Sequence, residues 1–246
     1  MKDDSYPFAL KAGNYIYNKA YLIYQPLYFL YKKITDKKEI VFLNGAIKEG
    51  MRVLDIGGNI GFYALLFSKL VGEKGSVHVF EPEAINFDHL RSNTEKLHNV
   101  IANNSAVGET TGKIRLYYSG ELNVDHQTYD NGENRPYQEV DCLSIDDYFK
   151  KEEAIDFIKI DIQGYDYYAL KGMARTIKRS KNVRILGEFW PYGLKRASVD
   201  PLEYLGLLRE LGFHIKVHGA LDERDCAKKV DDKLFYTNYY GEKNSK

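Results

Sequence analysis

The chain has 246 residues, and its 35 lysine and arginine residues balance 35 aspartate and glutamate residues, so the formal net charge is zero. This length fits one large α/β domain better than two domains. The neutral charge does not indicate a protein that follows a phosphate backbone, and we expect no nucleic-acid partner.

The N-terminal residues MKDDSYPF lack the basic start and apolar core of a signal peptide. The most apolar early run, residues 20–31, is too short to span a bilayer. Cys142 and Cys226 are far apart and have no neighbouring thiol or metal-spaced histidine. These features predict a cytoplasmic protein without a transmembrane segment, with self-association left open.

Residues 1–45 predict an N-terminal helical arm. Its tyrosines recur at alternating steps of four and three, which places them on one face of a helix. They are Tyr17, Tyr21, Tyr24, Tyr28 and Tyr31. We expect this face to pack on the domain as a lid, with weak membrane-surface contact or sugar stacking as the alternatives. Pro26 should kink or divide the helix.

Residues 46–246 predict a single domain in which short apolar runs alternate with helical patterns. This alternation is typical of a parallel sheet with right-handed crossovers and helices on both faces. Residues 113–141 interrupt the alternation with two strand-like runs around a polar, turn-rich stretch. We expect that stretch to form a hairpin-like excursion over the rim of the site.

Polar residues follow the predicted strands at or near their carboxyl ends, where open α/β sheets bind ligands. They are Asp55, Glu81, Ser105, Asp161 and Glu188. We therefore expect these side chains to converge on one rim of the sheet.

The first rim element reads DIGGNIGFY. Its glycines permit a tight strand-to-helix turn and a close backbone approach by a ligand. Asn59 and Phe62 occupy positions at which a dinucleotide fingerprint requires glycine. The run resembles motif I of class I S-adenosylmethionine-dependent methyltransferases instead. The candidate cofactor residues here are Asp55, Gly57, Gly58, Asn59, Gly61 and Phe62.

Two further elements complete a predicted cofactor site. In FEP, Glu81 precedes Pro82, and its carboxylate can accept hydrogen bonds from both hydroxyls of a ribose. In NNSAVGE, the small residues after the third strand can flank an adenine ring. They are Asn104, Ser105 and Ala106.

From about residue 53 to 213 the sequence resembles the FkbM-type methyltransferases. The resemblance rests on LDIGGNIGFY, HVFEPE, NNSAVGE, FIKIDIQGYD, ALKGM and GEFWPYGL. It implies a Rossmann-like class I methyltransferase fold, with a mostly parallel seven-stranded sheet, helices on both faces and an antiparallel last strand. It also implies S-adenosylmethionine as cofactor and O-methylation, often of sugars. Gln163 and Asp166 stand where the family usually has glutamates.

A hydroxyl acceptor needs a base close to the transferred methyl group. The candidates are His126, Lys159, Asp161 and Glu188. Asp161, which also belongs to the predicted cofactor site, is our first choice. Histidine as a residue type suits a general base near neutral pH, although a loop histidine such as His126 is often only a solvated surface group. Lys159 shares a strand face with Asp161, so a structural ion pair is an equal alternative.

The acceptor is predicted to be a saccharide or other small molecule. The candidate substrate-binding residues are Asn123, His126, Tyr129, Gln163, Trp190 and Tyr192. For Trp190 and Tyr192, packing in the core is the competing interpretation.

Two other functions remain open from the sequence. Asp161 and Glu188 are also suitable ligands for Mg²⁺ in a metal-assisted O-methyltransferase acting on a phenol, lipid or other natural product. No third ligand is obvious, so a required metal is not favoured. The third hypothesis, from another class, is a non-enzymatic binding or scaffold protein with the same fold.

Overall fold

The computed structural model describes residues 8–118, 127–129, 135–149, 153–219 and 222–243. The helices are α1 (Phe8–Lys19), α2 (Tyr21–Thr35), α3 (Lys37–Ala46), α4 (Phe62–Val71), α5 (Ala84–Thr94), α6 (Ile145–Tyr148), α7 (Asp166–Lys171), α8 (Ala174–Arg179), α9 (Pro191–Arg196), α10 (Pro201–Glu210) and α11 (Glu223–Ala227). The strands are β1 (Arg52–Ile56), β2 (Ser76–Phe80), β3 (Val100–Asn103), β4 (Ala106–Val107), β5 (Gly112–Tyr117), β6 (Tyr137–Leu143), β7 (Phe157–Ile160), β8 (Arg184–Phe189), β9 (His214–Val217) and β10 (Thr237–Glu242).

The main sheet has seven strands in the order β3-β2-β1-β7-β8-β10-β9. The strands are parallel except β10, which runs antiparallel to both β8 and β9. The strand order reverses between β1 and β7, and this is where sheets of this type form their ligand crevice. The predicted Rossmann-like class I methyltransferase fold is therefore confirmed, including its antiparallel strand.

Both faces of the sheet are covered by helices, which explains the nearly continuous apolar sequence of its central strands. One core lies under α7, α8 and α10, and its buried side chains include Leu170, Ile177 and Leu205. The other lies under α3, α4 and α5, and includes Leu43 and Phe67. The sheet thus holds the carboxyl ends of β1 and β7 rigidly at the centre of the molecule.

A second sheet of three strands, in the order β4-β6-β5, lies after β3 in the chain. Strands β5 and β6 pair antiparallel from Gly112 opposite Cys142 to Tyr117 opposite Tyr137. The two strand-like runs of the predicted excursion thus pair as in a hairpin, and the expected place of the excursion over the rim of the site stays a prediction. Residues 119–126 and 130–134 of this excursion lie outside the described residues.

The N-terminal arm is built from α1, α2 and α3. The helices are separated by single residues, Ala20 and Asp36. Of the two effects expected of Pro26, kinking or dividing the helix, division is wrong, because α2 continues through it. Pro26 removes one amide donor, the one for the carbonyl of Leu22. Both residues lie on the exposed side of the helix, where water can replace that single bond.

None of the described helices combines the length and apolar character that a bilayer crossing requires.

Candidate active site

The turn between β1 and α4 requires glycine for steric reasons. Gly57 has φ +85°, and a Cβ placed on it would lie 2.1 Å from the carbonyl oxygen of Asp161. A Cβ on Gly58 would lie 2.2 Å from a methyl carbon of Val79. The backbone therefore turns tightly against β2 and the end of β7, and leaves open space above the sheet.

That space is a cavity of about 850 Å³ at the switch point of the sheet. Its size is within the usual range for small-molecule sites, roughly 300–1,000 Å³. Its walls come from the β1–α4 turn, the ends of the neighbouring strands and the N-terminal arm. The predicted site residues that line it are Gly57, Gly58, Asn59, Phe62, Glu81, Pro82, Ser105, Ala106, Lys159, Asp161, Gln163, Glu188 and Trp190.

Glu81 is held in the cavity wall by two backbone amides. Its Oε2 accepts from the amide of Asn59 at 2.8 Å, and its Oε1 accepts from the amide of Glu83 at 3.0 Å. The side chain is buried, and burial raises the pKa of Glu81 to about 7. The Asn86 side chain also hydrogen-bonds to this carboxylate, which still has lone-pair capacity for a hydroxyl of a ligand.

The adjoining part of the cavity has apolar walls, and the hydroxyl of Ser105 is buried there. Ser105 is buried, and its Oγ has no hydrogen-bond partner within the described part of the chain. Asn104 differs from Ser105, because it is exposed and its amide donates to the carbonyls of Glu81 and Pro82 at 2.9 and 3.3 Å. Asn104 thus shapes the loop from outside the cavity. The apolar wall is formed by Ile60, Phe80, Ala106, Val107 and Leu116.

Lys159 lies at the centre of a buried charge cluster. Its Nζ is 3.6 Å from Oδ1 of Asp55 and 3.8 Å from Oδ2 of Asp161, and it lies 5.0 Å from the ring centroid of Tyr63. Burial alone would lower the pKa of Lys159, but the carboxylates outweigh it and the pKa is raised. Lys159 therefore stays protonated, which favours an ion-pair role over that of a base.

Asp55 pairs with Lys159 across adjacent strands of the sheet. It is fully buried, and burial raises the pKa of Asp55 against the opposing effect of Lys159. Neither of its carboxylate oxygens has a hydrogen-bond partner among the described residues. Asp55 thus supplies negative charge beneath the cavity.

Glu188 reaches the same cavity from β8. Burial raises the pKa of Glu188 well above its ordinary value, and the carboxylates of Asp161 and Asp166 raise it further, while Lys159 opposes them. A carboxylate with a raised pKa binds a proton more readily than an ordinary one. Glu188 is therefore better suited to proton acceptance than Lys159.

Gln163 lies on the cavity wall in the left-handed region, with φ 56°. Its carbonyl accepts a hydrogen bond of 3.0 Å from the hydroxyl of Tyr129. Tyr129 therefore braces the loop after β7 from the excursion. His126 and Asn123, two further predicted site residues, lie outside the described residues.

Trp190 is mainly a core residue. It is only 7% exposed, its ring lies where a Cβ on Gly193 would be, and its Nε1 donates to the carbonyl of Lys233 at 3.1 Å. The residue also lines the cavity. Tyr192 lies beside Trp190, with ring centroids 5.6 Å apart, and is not one of the described lining residues.

The arm supplies residues that the sequence did not single out. Lys32 lines the cavity and forms an ion pair with Asp36. Asp36 in turn accepts a hydrogen bond of 2.6 Å from the hydroxyl of Tyr63, whose ring faces Lys159. The tyrosine repeat was the available signal, because Tyr24, Tyr28 and Tyr31 of that repeat also line the cavity.

Residues 55–215 match the family model of the methyltransferase FkbM domain. This match spans the glycine turn, Glu81, the charge cluster and Glu188. The chain belongs to the FkbM methyltransferase family. It is a methyltransferase that depends on S-adenosylmethionine. No curated protein matches the chain significantly.

Solved structures similar to this FkbM methyltransferase share its fold at low sequence identity. A protein from Clostridium thermocellum designated an rRNA methylase is 10% identical, with a TM-score of 0.53 and coverage of 85% of this chain and 96% of that one. A protein from Streptococcus mutans designated a methyltransferase, in complex with SAH, is 12% identical, with a TM-score of 0.51 and coverage of 84% and 96%.

A SAM-dependent O-methyltransferase from Thermotoga maritima is 15% identical to the FkbM methyltransferase. Its TM-score is 0.50, and the match covers 85% of this chain and 66% of that one. At these identities the likeness concerns the fold alone.

The residues of this FkbM methyltransferase fit S-adenosylmethionine on three observations. Gly57 and Gly58 leave no room for a side chain, the buried Ser105 hydroxyl lacks a partner among the described residues, and Glu81 presents carboxylate lone pairs. Among the described residues, no group of three or more histidine, cysteine or acidic side chains is arranged to hold a metal ion. The metal-assisted alternative stays a prediction.

Proposed function

We propose that the protein methylates a hydroxyl group of a saccharide or glycoconjugate. The observation that carries this proposal is the composition of the cavity at its arm side. Three tyrosines line the same cavity as the carboxylates of Asp161 and Glu188. They are Tyr28, Tyr31 and Tyr236. Tyrosine rings can stack on the apolar faces of sugars, and carboxylates accept hydrogen bonds from hydroxyls.

The cofactor is assigned to the part of the cavity that lies over β1, β2 and β4. S-adenosylmethionine supplies a methyl group that is already activated by its positive sulfur. Glu81 would accept hydrogen bonds from the ribose hydroxyls, while Ser105 and Ala106 would flank the adenine. The protein must then align the acceptor oxygen and remove its proton.

Glu188 is the base in this proposal. Its raised pKa suits it to take the proton of the acceptor hydroxyl as the new oxygen–methyl bond forms. Asp161, whose side chain is 39% exposed, would accept a hydrogen bond from the acceptor and position it. Lys159 stays charged and holds Asp161 in place, which is a positioning role.

A labelled methyl donor tests the proposal. The purified protein is incubated with it and a panel of saccharides, glycolipids, phenols and other lipids, and the products are located by mass spectrometry. We expect label on a saccharide hydroxyl, with large losses in Glu188→Gln and Asp161→Asn. Asp141→Asn, which removes an exposed charge on β6, is the matched control and should be fully active. Label on phenols alone would reject the saccharide acceptor.

The second candidate, a metal-assisted reaction, rests on the proximity of Asp161 and Glu188, two potential oxygen ligands. Treatment with a chelator distinguishes the metal-assisted reaction from direct proton transfer to Glu188. Turnover that is unchanged by the chelator supports direct proton transfer to Glu188. Loss of turnover that Mg²⁺ restores would favour the metal-assisted mechanism.

A further inference from the structure

The outer face of α2 is an exposed apolar stripe. Ile23, Leu27, Leu30 and Ile34 follow one another at steps of four, three and four, so they lie on one side of the helix. They are 60%, 55%, 56% and 68% exposed, and the neighbouring Leu22 is 88% exposed. An exposed apolar face of this length marks an interaction surface more often than a solvated one.

The stripe is not needed to attach the arm to the domain, because the opposite face of α2 does that. The ring of Tyr21 stacks on His89 with centroids 3.3 Å apart. Gln25 donates a hydrogen bond of 2.6 Å to Asn93, and Phe29 packs edge-on against Phe62. The helix thus has one face for the domain and a second apolar face without a described partner.

Positive charge surrounds the stripe. Residues 19–46 contain five lysines and two acidic residues, in a chain whose net charge is zero. Lys19, Lys33, Lys37 and Lys38 are exposed. The two acidic residues are engaged within the protein, since Asp36 pairs with Lys32 and Glu39 accepts a hydrogen bond of 2.7 Å from Asn238. This combination is typical of helices that lie in the interface of anionic membranes.

The stripe also continues to the mouth of the cavity. Leu27 belongs to the stripe and lines the cavity, and Tyr31, 58% exposed, lies on the next turn. Leu234 and Tyr236 line the cavity as well and are 80% and 62% exposed. A surface that covered the stripe would therefore adjoin the opening through which an acceptor enters.

We propose that α2 docks this protein on an anionic lipid bilayer, with the apolar stripe in the interface and the lysines at the headgroups. The cavity mouth then lies beside the lipid, within reach of acceptors carried by the membrane. The acceptor identity proposed above is not required for this inference, because docking is measured without donor or acceptor. A second copy of the chain on the stripe is the rival occupant.

Cosedimentation with vesicles tests the docking. The probes are vesicles of phosphatidylcholine alone and vesicles of phosphatidylcholine with phosphatidylglycerol, at low and high salt. We expect the full chain to bind the anionic vesicles, and to bind them at least tenfold more weakly at high salt because the lysine contribution is screened. Absence of binding to anionic vesicles would overturn the proposal.

Two sets of variants separate the stripe from the rest of the surface. Ile23→Gln/Leu30→Gln/Ile34→Gln, at positions that do not line the cavity, should weaken vesicle binding at least tenfold. The matched control Ile85→Gln/Leu202→Gln removes exposed apolar side chains from α5 and α10 and should bind like the unaltered protein. Lys33→Gln and Lys38→Gln should each weaken binding roughly fivefold.

Light scattering and thermal melting complete the test. Equal melting temperatures show that the stripe variant is folded, and vesicle binding that persists in a folded stripe variant would contradict the proposal. A dimer that the stripe variant converts to a monomer, without any vesicle binding by the unaltered protein, would assign the stripe to a second copy instead.

Discussion

Glu188 gives the proposed mechanism its pH dependence. Burial, with Asp161 and Asp166 nearby, raises the pKa of Glu188, and a base must be deprotonated to act. We therefore expect kcat/KM to rise with pH through this pKa and then to level off. Glu188→Gln should abolish this rise and lower kcat by about 10²–10⁴-fold. A pH–rate profile that keeps the same rise in the variant would exclude Glu188 as the base.

Glu81 is the residue on which donor affinity should depend most. Charged hydrogen bonds are each worth about 1.5–3 kcal/mol, and Glu81→Gln weakens those offered to the ribose. Calorimetric titration with S-adenosylmethionine should show affinity lowered by about tenfold or more. Glu109→Gln, at an exposed glutamate paired with Lys171, is the control. Equal affinity of the Glu81 variant and the control would remove Glu81 from the cofactor site.

Asp166 should make stability depend on pH. Burial, followed by the charge of Asp161, raises the pKa of Asp166 to about 7, and its side chain accepts a hydrogen bond from the amide of Gly164. Between about pH 4 and 7 the folded protein therefore binds more protons at this site than the unfolded chain, so stability falls as pH rises through that window.

Urea unfolding of Asp166→Asn at pH 5 and pH 8 measures this effect. At each pH, the free energy of unfolding of the variant is subtracted from that of the unaltered protein. This difference should be lower at pH 8 than at pH 5 by ~1–3 kcal/mol. The same difference at both pH values would mean that Asp166 titrates normally in the folded protein.

At the scale of elements, α2 packs on the domain through the face that carries the tyrosine repeat, and its role as a lid stays a prediction. Asn93 of α5 holds the helix, since its side chain accepts from Gln25 at 2.6 Å and donates to the Tyr21 hydroxyl at 3.0 Å and the Ile60 carbonyl at 2.8 Å. Asn93→Ala should loosen α2, because removing it leaves partly buried polar groups unpaired.

Hydrogen exchange measures the loosening of the arm. We expect protection in α2 to fall in Asn93→Ala while the central strands keep theirs. Asn44→Ala, which removes an amide that bonds only within α3 among its described contacts, should leave α2 protected. Unchanged protection of α2 in Asn93→Ala would show that the aromatic contacts alone hold the helix.

The parts of the site that could be predicted from the sequence are those formed by residues that are neighbours in the chain. The turn at Gly57 follows from glycine spacing, and Glu81 follows directly after an apolar strand. The role of Asp36 has no such signal, because its partner Tyr63 is 27 residues away. From the sequence, Trp190 fits a sugar platform and a core residue equally well. Its burial, its hydrogen bond to Lys233 and its packing against Gly193 favour the core.

At the scale of the whole molecule, topology creates the charged centre of the site. Asp55 and Lys159 are distant in sequence, yet β1 and β7 place them directly opposite each other at the switch point. The alternation of strands and helices predicted this sheet and its ligand-binding rim. It could not predict how the arm closes the cavity, because the contacts of α2 with α5 depend on side-chain packing between remote segments.

We propose above that the protein transfers a methyl group from S-adenosylmethionine to a hydroxyl oxygen. A donor with a deuterated methyl group, followed by NMR and mass spectrometry of the product, tests this most directly. We expect one deuterated methyl ether on a saccharide, formed by the unaltered protein and lost in Glu188→Gln. Label on nitrogen or carbon, or equal transfer by the Glu188→Gln variant, would contradict it.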